Sequence, residues 1–418
     1  MTQPKTHTPI ALVGSGLTTR VFALALVHSG FDFIWFSGPE TSQPTANEAD
    51  TRTTTIHQAG KVMLETLGIW GCLPAPGWPV TEITVAGQRP SARSRRRANA
   101  WPLRWHLDHP PMAYVVNNQA LMKACDKLIG QQLTDKQINP VLIKQLQTGQ
   151  PNILQDSARS TWSCDLVIAC DGANSRLRQQ AGLQAIDQSR QETALVTTVQ
   201  TEQQAGTTAY QRFLPSGPLA LMPTGPNSAS VVWSMPTDRA TDMKQIDKPG
   251  FERLINEAFG PELGWLTQQT ECLAWPLKPS YCPRISQHGF VLAGDAAHAL
   301  HPLAGMGFNL ALSDCAVLLD CLQSAAHTGL SAGHISVTTA YQGRRKPEIL
   351  ALTSATQGLN RLLTRQPDPL YQLACVGLSV LGRIPARRLL SDLASGGRLS
   401  PAPLFNGHLV QPERQSSI

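Results

Sequence analysis

The chain has 418 residues, 42% of them hydrophobic and 15% charged, a balance that suits a globular protein with a large core and excludes wholesale disorder. Its length fits two or three domains. The formal net charge of +6 suits an anionic cofactor or an anionic membrane surface and is too small to point to nucleic acid.

Nine cysteines are scattered along the chain without a CxxC pair. The pattern reads as reduced, mostly buried thiols rather than a zinc site or a disulfide framework, and no other metal-site spacing stands out. The first apolar run starts too near the N-terminus to leave room for a signal or transit peptide. No apolar stretch reaches the roughly 18–20 residues that span a bilayer. Together these features predict a cytoplasmic protein, soluble or peripheral to a membrane.

In chain order, Ile10-Ala-Leu-Val13 predicts a buried strand, Gly14-Ser-Gly16 a turn, residues 18–29 an apolar helix and residues 31–36 a second strand, which is a βαβ opening. Residues 61–67 have helical spacing and stop at Gly68. Residues 88–106 are rich in arginine, with Trp101 and Trp105 nearby. They read as a solvated loop or hairpin tip, or as a contact for anionic lipid or a partner. Residues 165–169 form another buried strand with an Asp-Gly turn behind it. Residues 190–284 alternate apolar and polar positions between turn signals, as in Pro215-Ser-Gly-Pro218, and predict a separate antiparallel sheet. Residues 289–293 give a last buried strand and a helix follows from about Gly307. Residues 361–396 look helical, apolar and basic, and the Pro/Ser-rich tail after them is expected to fray. No internal repeats appear.

Three runs carry chemistry. In Gly14-Ser-Gly16-Leu-Thr-Thr19 the glycines permit a tight turn and close approach of backbone to a pyrophosphate, with a helix N-terminus behind them. On its own this run also fits a plain strand–turn–helix corner. In Cys170-Asp-Gly-Ala-Asn-Ser-Arg176, Asp171 can accept hydrogen bonds from a polar ligand and Gly172 admits its backbone, although Asp-Gly turns are common anywhere. The third run, Gly294-Asp-Ala-Ala-His298 continuing through Leu300-His-Pro302 to Gly305-Met-Gly-Phe-Asn309, is the longest and most specific. Its acid follows a strand, and its Gly-x-Gly opens a helix whose amides can meet a ring or a phosphate.

These runs, in this order, resemble the fingerprints of the flavoprotein aromatic hydroxylases. Asp50-Thr-Arg-Thr-Thr54, Leu64-Glu-Thr-Leu-Gly-Ile-Trp70, the stretch from Arg212 to Pro223, Val232-Trp-Ser234 and Trp275-Pro-Leu277 narrow the likeness to the ubiquinone-biosynthesis hydroxylases. The resemblance implies an α/β fold: a discontinuous Rossmann-like FAD-binding domain over 1–75, 110–185 and 285–360, and an antiparallel-sheet substrate domain over 76–109 and 186–284. A C-terminal helical region over 361–396 and a flexible tail over 397–418 would follow.

It also implies roles by position. Gly14 and Gly16 would hold the FAD pyrophosphate, and Arg52 would lie near the pyrophosphate and flavin. Asp171 and Gly172 would touch FAD, and Asp295 would bond the ribitol. Pro302, Gly305, Gly307, Phe308 and Asn309 would lie along the isoalloxazine. His298 reads as support for the motif rather than as a general base. NAD(P)H or a reductase would reduce the flavin, and dioxygen would be activated as a C4a-hydroperoxyflavin that hydroxylates a polyprenyl phenol. No residue of the chain needs to act as a nucleophile or a metal ligand. Implied partners are the lipid substrate, other ubiquinone-biosynthesis proteins and the inner face of a bacterial membrane. Arg361, Arg365, Arg383, Arg387 and Arg388, interleaved with leucines, could lie on such a surface, or their helix could pack on the catalytic body.

Three positions depart from the family pattern: Thr19 replaces the third glycine, Ser37 stands where an acid usually holds the adenosine ribose, and Met306 replaces a polar residue. Losing a charge-assisted bond at Ser37 costs roughly 1.5–3 kcal/mol, about ten- to a hundredfold in affinity. They raise an alternative, a weakly FAD-binding or non-catalytic member that presents lipid within a biosynthetic complex. A flavin oxidase or dehydrogenase, or a hydroxylase of a small soluble aromatic, is a further rival.

Overall fold

Five parallel strands carry the architecture, and the sequence shows why they lie at its centre. Residues Ile10, Ala11 and Leu12, and residues 166–169, are fully buried, because a parallel sheet is covered on both faces and its strands are apolar throughout. The computed structural model describes residues 6–38, 50–86, 103–106, 111–302, 305–363 and 402–408, with the backbone alone at 103–106 and 359–363.

The elements run β1 (Thr6–Val13), α1 (Leu17–His28), β2 (Phe33–Phe36), β3 (Thr53–His57), α2 (Gln58–Thr66), β4 (Trp78–Val80), β5 (Glu82–Ala86), β6 (Leu103–His106), β7 (Ala113–Asn117), α3 (Asn118–Gln132), β8 (Ile138–Asn139), β9 (Ile143–Gln147), β10 (Asn152–Asp156), β11 (Thr161–Ala169) and α4 (Arg176–Gln180). They continue through β12 (Ile186–Asp187), β13 (Glu192–Thr201), β14 (Thr208–Leu214), β15 (Gly217–Gly225), β16 (Ser228–Pro236), α5 (Thr237–Lys244), α6 (Lys248–Phe259), β17 (Leu266–Gln268), β18 (Leu273–Leu277), β19 (Ser280–Tyr281), β20 (Ser286–Gln287), β21 (Phe290–Leu292), β22 (His298–Ala299), α7 (Gly307–His327) and α8 (Ile335–Leu363). This is the mixed α/β fold expected from the sequence.

The first sheet has the order β20-β21-β11-β1-β2-β8, with β10 and β9 continuing antiparallel from β11. Strands β21, β11, β1, β2 and β8 run parallel to one another in that order, while β20 pairs antiparallel with β21. Helix α1 buries Val21, Phe22 and residues 23–26 against this sheet, at about 1.5–3 kcal/mol for each large apolar side chain. The second sheet is antiparallel over β17-β13-β16-β15-β14, with β5 joining β14 in parallel and β18 pairing with β13. Helices α5 and α6 cover one of its faces, where Leu195, Leu219, Leu221 and Trp233 meet Phe251, Ile255 and Phe259. A three-stranded sheet, β3-β7-β4, stands beside both.

The tail differs from expectation. Residues 402–408 carry a short 3₁₀ turn over Pro403–Asn406, with Ala402, Leu404 and Phe405 buried in the main core. Phe405 meets the His57 ring edge-on at 6.1 Å. Its aromatic and leucine side chains give this part of the tail enough apolar surface to pack, which proline and serine content alone does not reveal. The arginine-rich segment is described only at β6, and residues 364–396 of the expected C-terminal helical region lie outside the described residues.

Candidate active site

The parallel register brings the three sequence motifs together. Val13 of β1 pairs with Ala169 of β11, and Ala169 pairs with Leu292 of β21. Each motif begins within two residues of these positions, so all three turns leave one edge of the sheet side by side, at the carboxyl ends of its strands, where open α/β sheets bind ligands.

At the first turn Gly14 has φ +146°. A Cβ there would stand 2.4 Å from the Cys170 carbonyl oxygen and 2.6 Å from Thr19 Oγ1. Gly14 is therefore what lets β1, β11 and α1 meet, and it explains the first departure: the β-branched Thr19, fully buried, occupies the space that a Gly14 side chain would need. The Gly14 carbonyl accepts from Trp35 Nε1 at 2.8 Å, and the Arg20 guanidinium donates to the Ser15 carbonyl. Gly16 is the N-cap of α1, no side chain caps that helix end, and a Cβ on Gly16 would have no neighbour within 4 Å. The turn is thus braced from behind and open in front.

At the second turn Gly172 has φ +85°. Asp171 Oδ2 accepts from the Leu177 N–H at 3.2 Å, at the start of α4, while Oδ1 is buried without a partner. Arg178, two residues beyond the second motif and given no role by the sequence, is buried; it donates to the Ala296 carbonyl at 2.8 Å and to the Ala173 carbonyl at 2.9 Å, tying the second turn to the third.

At the third turn Asp295 is exposed and, among the described residues, has no hydrogen-bond partner. The protein walls its carboxyl on other sides, and that crowding raises its pKa, partly offset by His298 and Arg52. His298 is fully buried and faces Asp314 at 2.6 Å rather than the open side of the turn. Pro302 accepts from the Gly305 N–H at 3.2 Å, and residues 303 and 304 lie outside the described residues. Gly305, at φ +63°, packs against Thr55. Met306 caps α7 by position only, without a side-chain bond, and a Cβ on Gly307 would meet open space. Phe308 is half-buried against the core. The Asn309 side chain is committed to the protein: it accepts from the His57 N–H at 3.1 Å and donates to the Thr55 carbonyl at 2.7 Å.

Arg52 closes the arrangement. Asp50 binds its Nε at 2.8 Å and its Nη2 at 2.7 Å, and its guanidinium lies 4.0 Å from the centre of the Trp275 ring on β18. Ala194 pairs with Trp275 and with Ser234, and paired residues share a face. The face of the second sheet bearing Ala194, Ser234 and Trp275 is therefore the one turned toward Arg52.

A family model described as an FAD binding domain matches residues 7–354. The chain belongs to this FAD-binding domain family. The three turns offer features that would fit such a cofactor: two helix N-termini without side-chain caps, glycines bordered by open space, and a carboxylate with no partner among the described residues. Ubiquinone hydroxylase UbiL of Rhodospirillum rubrum is 29% identical over 94% of this chain and 91% of its own length. The 3-demethoxyubiquinol 3-hydroxylase of Escherichia coli is 28% identical over 90% and 95%. Among solved structures, p-nitrophenol 4-monooxygenase PnpA of Pseudomonas putida shares this FAD-binding fold with a TM-score of 0.71 at 16% identity, over 94% of this chain and 99% of that one. Among the described residues no helix is long and apolar enough to cross a membrane.

Proposed function

We propose that this chain is an FAD-dependent monooxygenase that hydroxylates the aromatic ring of a polyprenyl phenol in ubiquinone biosynthesis. The observation that carries the reading is the convergence of the three motif turns at one sheet edge, facing a second sheet through Arg52 and Trp275. The likeness to two ubiquinone-pathway hydroxylases over nine-tenths or more of each chain supports the substrate class. FAD, when bound, supplies oxygen activation and transfer.

The residues of the chain do the rest. Gly14 sets the tight turn, its N–H on the Phe36 carbonyl, and Gly16, with the amides that open α1, holds the pyrophosphate. Asp295 accepts hydrogen bonds from the ribityl hydroxyls. Pro302, Gly305, Gly307, Phe308 and Asn309 border the flavin ring. Arg52 neutralises charge near the pyrophosphate, and Asp171 with Gly172 borders the same cleft. The Ala194 face of the second sheet walls off water and fixes the phenol ring over the reacting position. NAD(P)H or a reductase is the electron source. A membrane surface is the source of the lipid, and the protein works at the inner face of a bacterial membrane. By this reading residues 1–75, 110–185 and 285–360 hold the cofactor, and residues 76–109 and 186–284 hold the substrate.

The test is direct. Purified protein is expected to carry a flavin absorption spectrum, or to gain one on adding FAD. With NAD(P)H or a reductase it should add one oxygen atom to a prenylated phenol in a lipid extract, read by mass spectrometry. A chain that bound flavin and bound the lipid but never inserted oxygen would be the lipid-presenting subunit instead.

A further inference from the structure

Behind the Gly294 turn lies a cluster of ionisable side chains that neither grips the cofactor nor reaches solvent. His298, Asp314 and Arg345 are fully buried, and Glu348 is nearly so. Burying a charge is costly unless partners surround it, so the bonds around Asp314 need an account.

One carboxylate oxygen, Oδ2, accepts from the Gly294 N–H at 2.8 Å and stands 2.6 Å from His298 Nε2. The other, Oδ1, accepts from Arg345 Nε at 2.8 Å. Arg345 also donates to Glu348 and, at 3.2 Å, to the Leu310 carbonyl. Burial pushes the Asp314 carboxyl up, but His298 and Arg345 more than offset it and hold it below the usual carboxylate range.

The same turn is fixed at two further points. Tyr341 donates to the Leu292 carbonyl at 2.8 Å, and Arg178 donates to the Ala296 carbonyl at 2.8 Å. Gly294 sits at φ +59°, with the Thr18 side chain 3.0 Å from where a Cβ would be. Residues 292, 294, 296 and 298 are thus each held by a buried side chain. The Asp295 side chain, which has no hydrogen-bond partner among the described residues, is left on the open side.

We propose that Asp314 is a positioning residue for the cofactor: by binding the Gly294 N–H and His298 it fixes the turn that presents Asp295 to the ribityl chain, and Arg345 on α8 keeps it in place. This rests on the reading that Asp295 grips FAD. The side chain at 314 must be a carboxylate because donors meet both of its oxygens. An amide in its place would turn its own NH2 group against Arg345 or against Gly294 and His298, whichever way it was flipped. A preorganised grip keeps the cost of ordering the turn out of the binding step.

The test is a double-mutant cycle on FAD affinity, measured by quenching of flavin fluorescence, with circular dichroism confirming the fold of each protein. Asp295→Ala and Asp314→Asn are each expected to raise the FAD dissociation constant tenfold or more. If Asp314 acts through Asp295, the double variant binds no more weakly than Asp295→Ala alone. Two multiplying losses would mean that Asp314 supports the fold at large, and wild-type affinity in Asp314→Asn would mean that it does not position the turn; either result overturns the proposal. If Asp314→Asn does not fold, the cycle is run with His298→Leu, which removes one donor from Oδ2. His298→Gln, which restores a donor, is then expected to recover most of the lost affinity, and failure to recover it overturns the proposal. Wild-type protein that took up no FAD would instead overturn the cofactor assignment itself, and this proposal with it.

Discussion

Arg52 lies over the indole of Trp275, its guanidinium carbon 4.0 Å from the ring centre. The contact joins the strand-end turns to the second sheet, and Asp50 holds the guanidinium by two bonds in the plane of its fork. Burial pushes the Asp50 carboxyl up, but the Arg52 bonds outweigh that and hold it below the usual range. Arg52→Lys keeps the charge but loses both the fork and the stacking. A cation–π contact is worth about 0.5–2 kcal/mol, so FAD affinity is expected to fall by about two- to thirtyfold. Equilibrium titration checks it; a lysine variant with unchanged affinity would place the cofactor away from Arg52.

Ser37 follows β2 directly, with its N–H on the Asn139 carbonyl at 3.1 Å and its hydroxyl on the Gly38 carbonyl at 3.2 Å. It stands at the strand end, and among the described residues no carboxylate replaces the one that Ser37 lacks. Ser37→Glu is expected to tighten FAD binding by roughly tenfold or more, the worth of a charge-assisted bond. Unchanged or weaker binding in the same titration would show that the ribose is held elsewhere.

The two glycines of the first turn have different tasks. In Gly14→Ala the new Cβ meets the Cys170 carbonyl at 2.4 Å, and Cys170 cannot withdraw because its N–H is bonded to Val13 at 2.7 Å. Strain and overpacking together are expected to cost about 2–4 kcal/mol of stability. In Gly16→Ala the backbone is ordinary, at φ −82°, and nothing lies within 4 Å. That variant should keep its stability to within about 0.5 kcal/mol and still bind FAD at least tenfold more weakly, because the methyl stands where the pyrophosphate approaches. Urea unfolding and FAD titration on both variants separate the tasks; equal stability loss in both would remove the distinction.

This contrast bears on what the sequence made legible. The three turns could be read because each combines a local signal, glycine or Asp-Gly, with an apolar strand before it. Their meeting at one edge followed from the parallel pairing that such strands favour. Asp314, Arg345 and Tyr341 were missed because their partners are 16 to 49 positions away, and long-range bonds leave no local pattern. One signal was available: Asp314 is the one charged residue in the run from Leu310 to Leu319 on α7, all of which is buried, and an acid in such a place needs a buried partner. Thr19 looked like a fault in the glycine motif until Gly14 was seen to leave room for it.

The last prediction concerns pH. His57 is buried, and its Nδ1 accepts from the Gly60 N–H at 2.8 Å as the N-cap of α2. Accepting at Nδ1 requires the neutral ring, and burial lowers its pKa from 6.5 to about 4, only slightly offset by a backbone bond. In the unfolded chain the ring titrates near 6.5. Between these values the unfolded state binds the extra proton, so the stability contributed by the neutral ring is complete above about pH 6.5. It declines as the pH falls and is lost once the pH has passed through about 4. At pH 5 the loss from this one group is about 2 kcal/mol, since each pKa unit is worth about 1.4 kcal/mol. His57→Asn keeps an acceptor for the Gly60 N–H but does not titrate. The variant starts less stable at pH 7, because it packs less well against Phe405. Its further loss between pH 7 and pH 5 should be smaller than that of the wild type by about 2 kcal/mol, since every other titrating group is common to both. Urea midpoints at the two pH values measure this, and parallel losses in the two proteins would mean that His57 takes up its proton within the folded state.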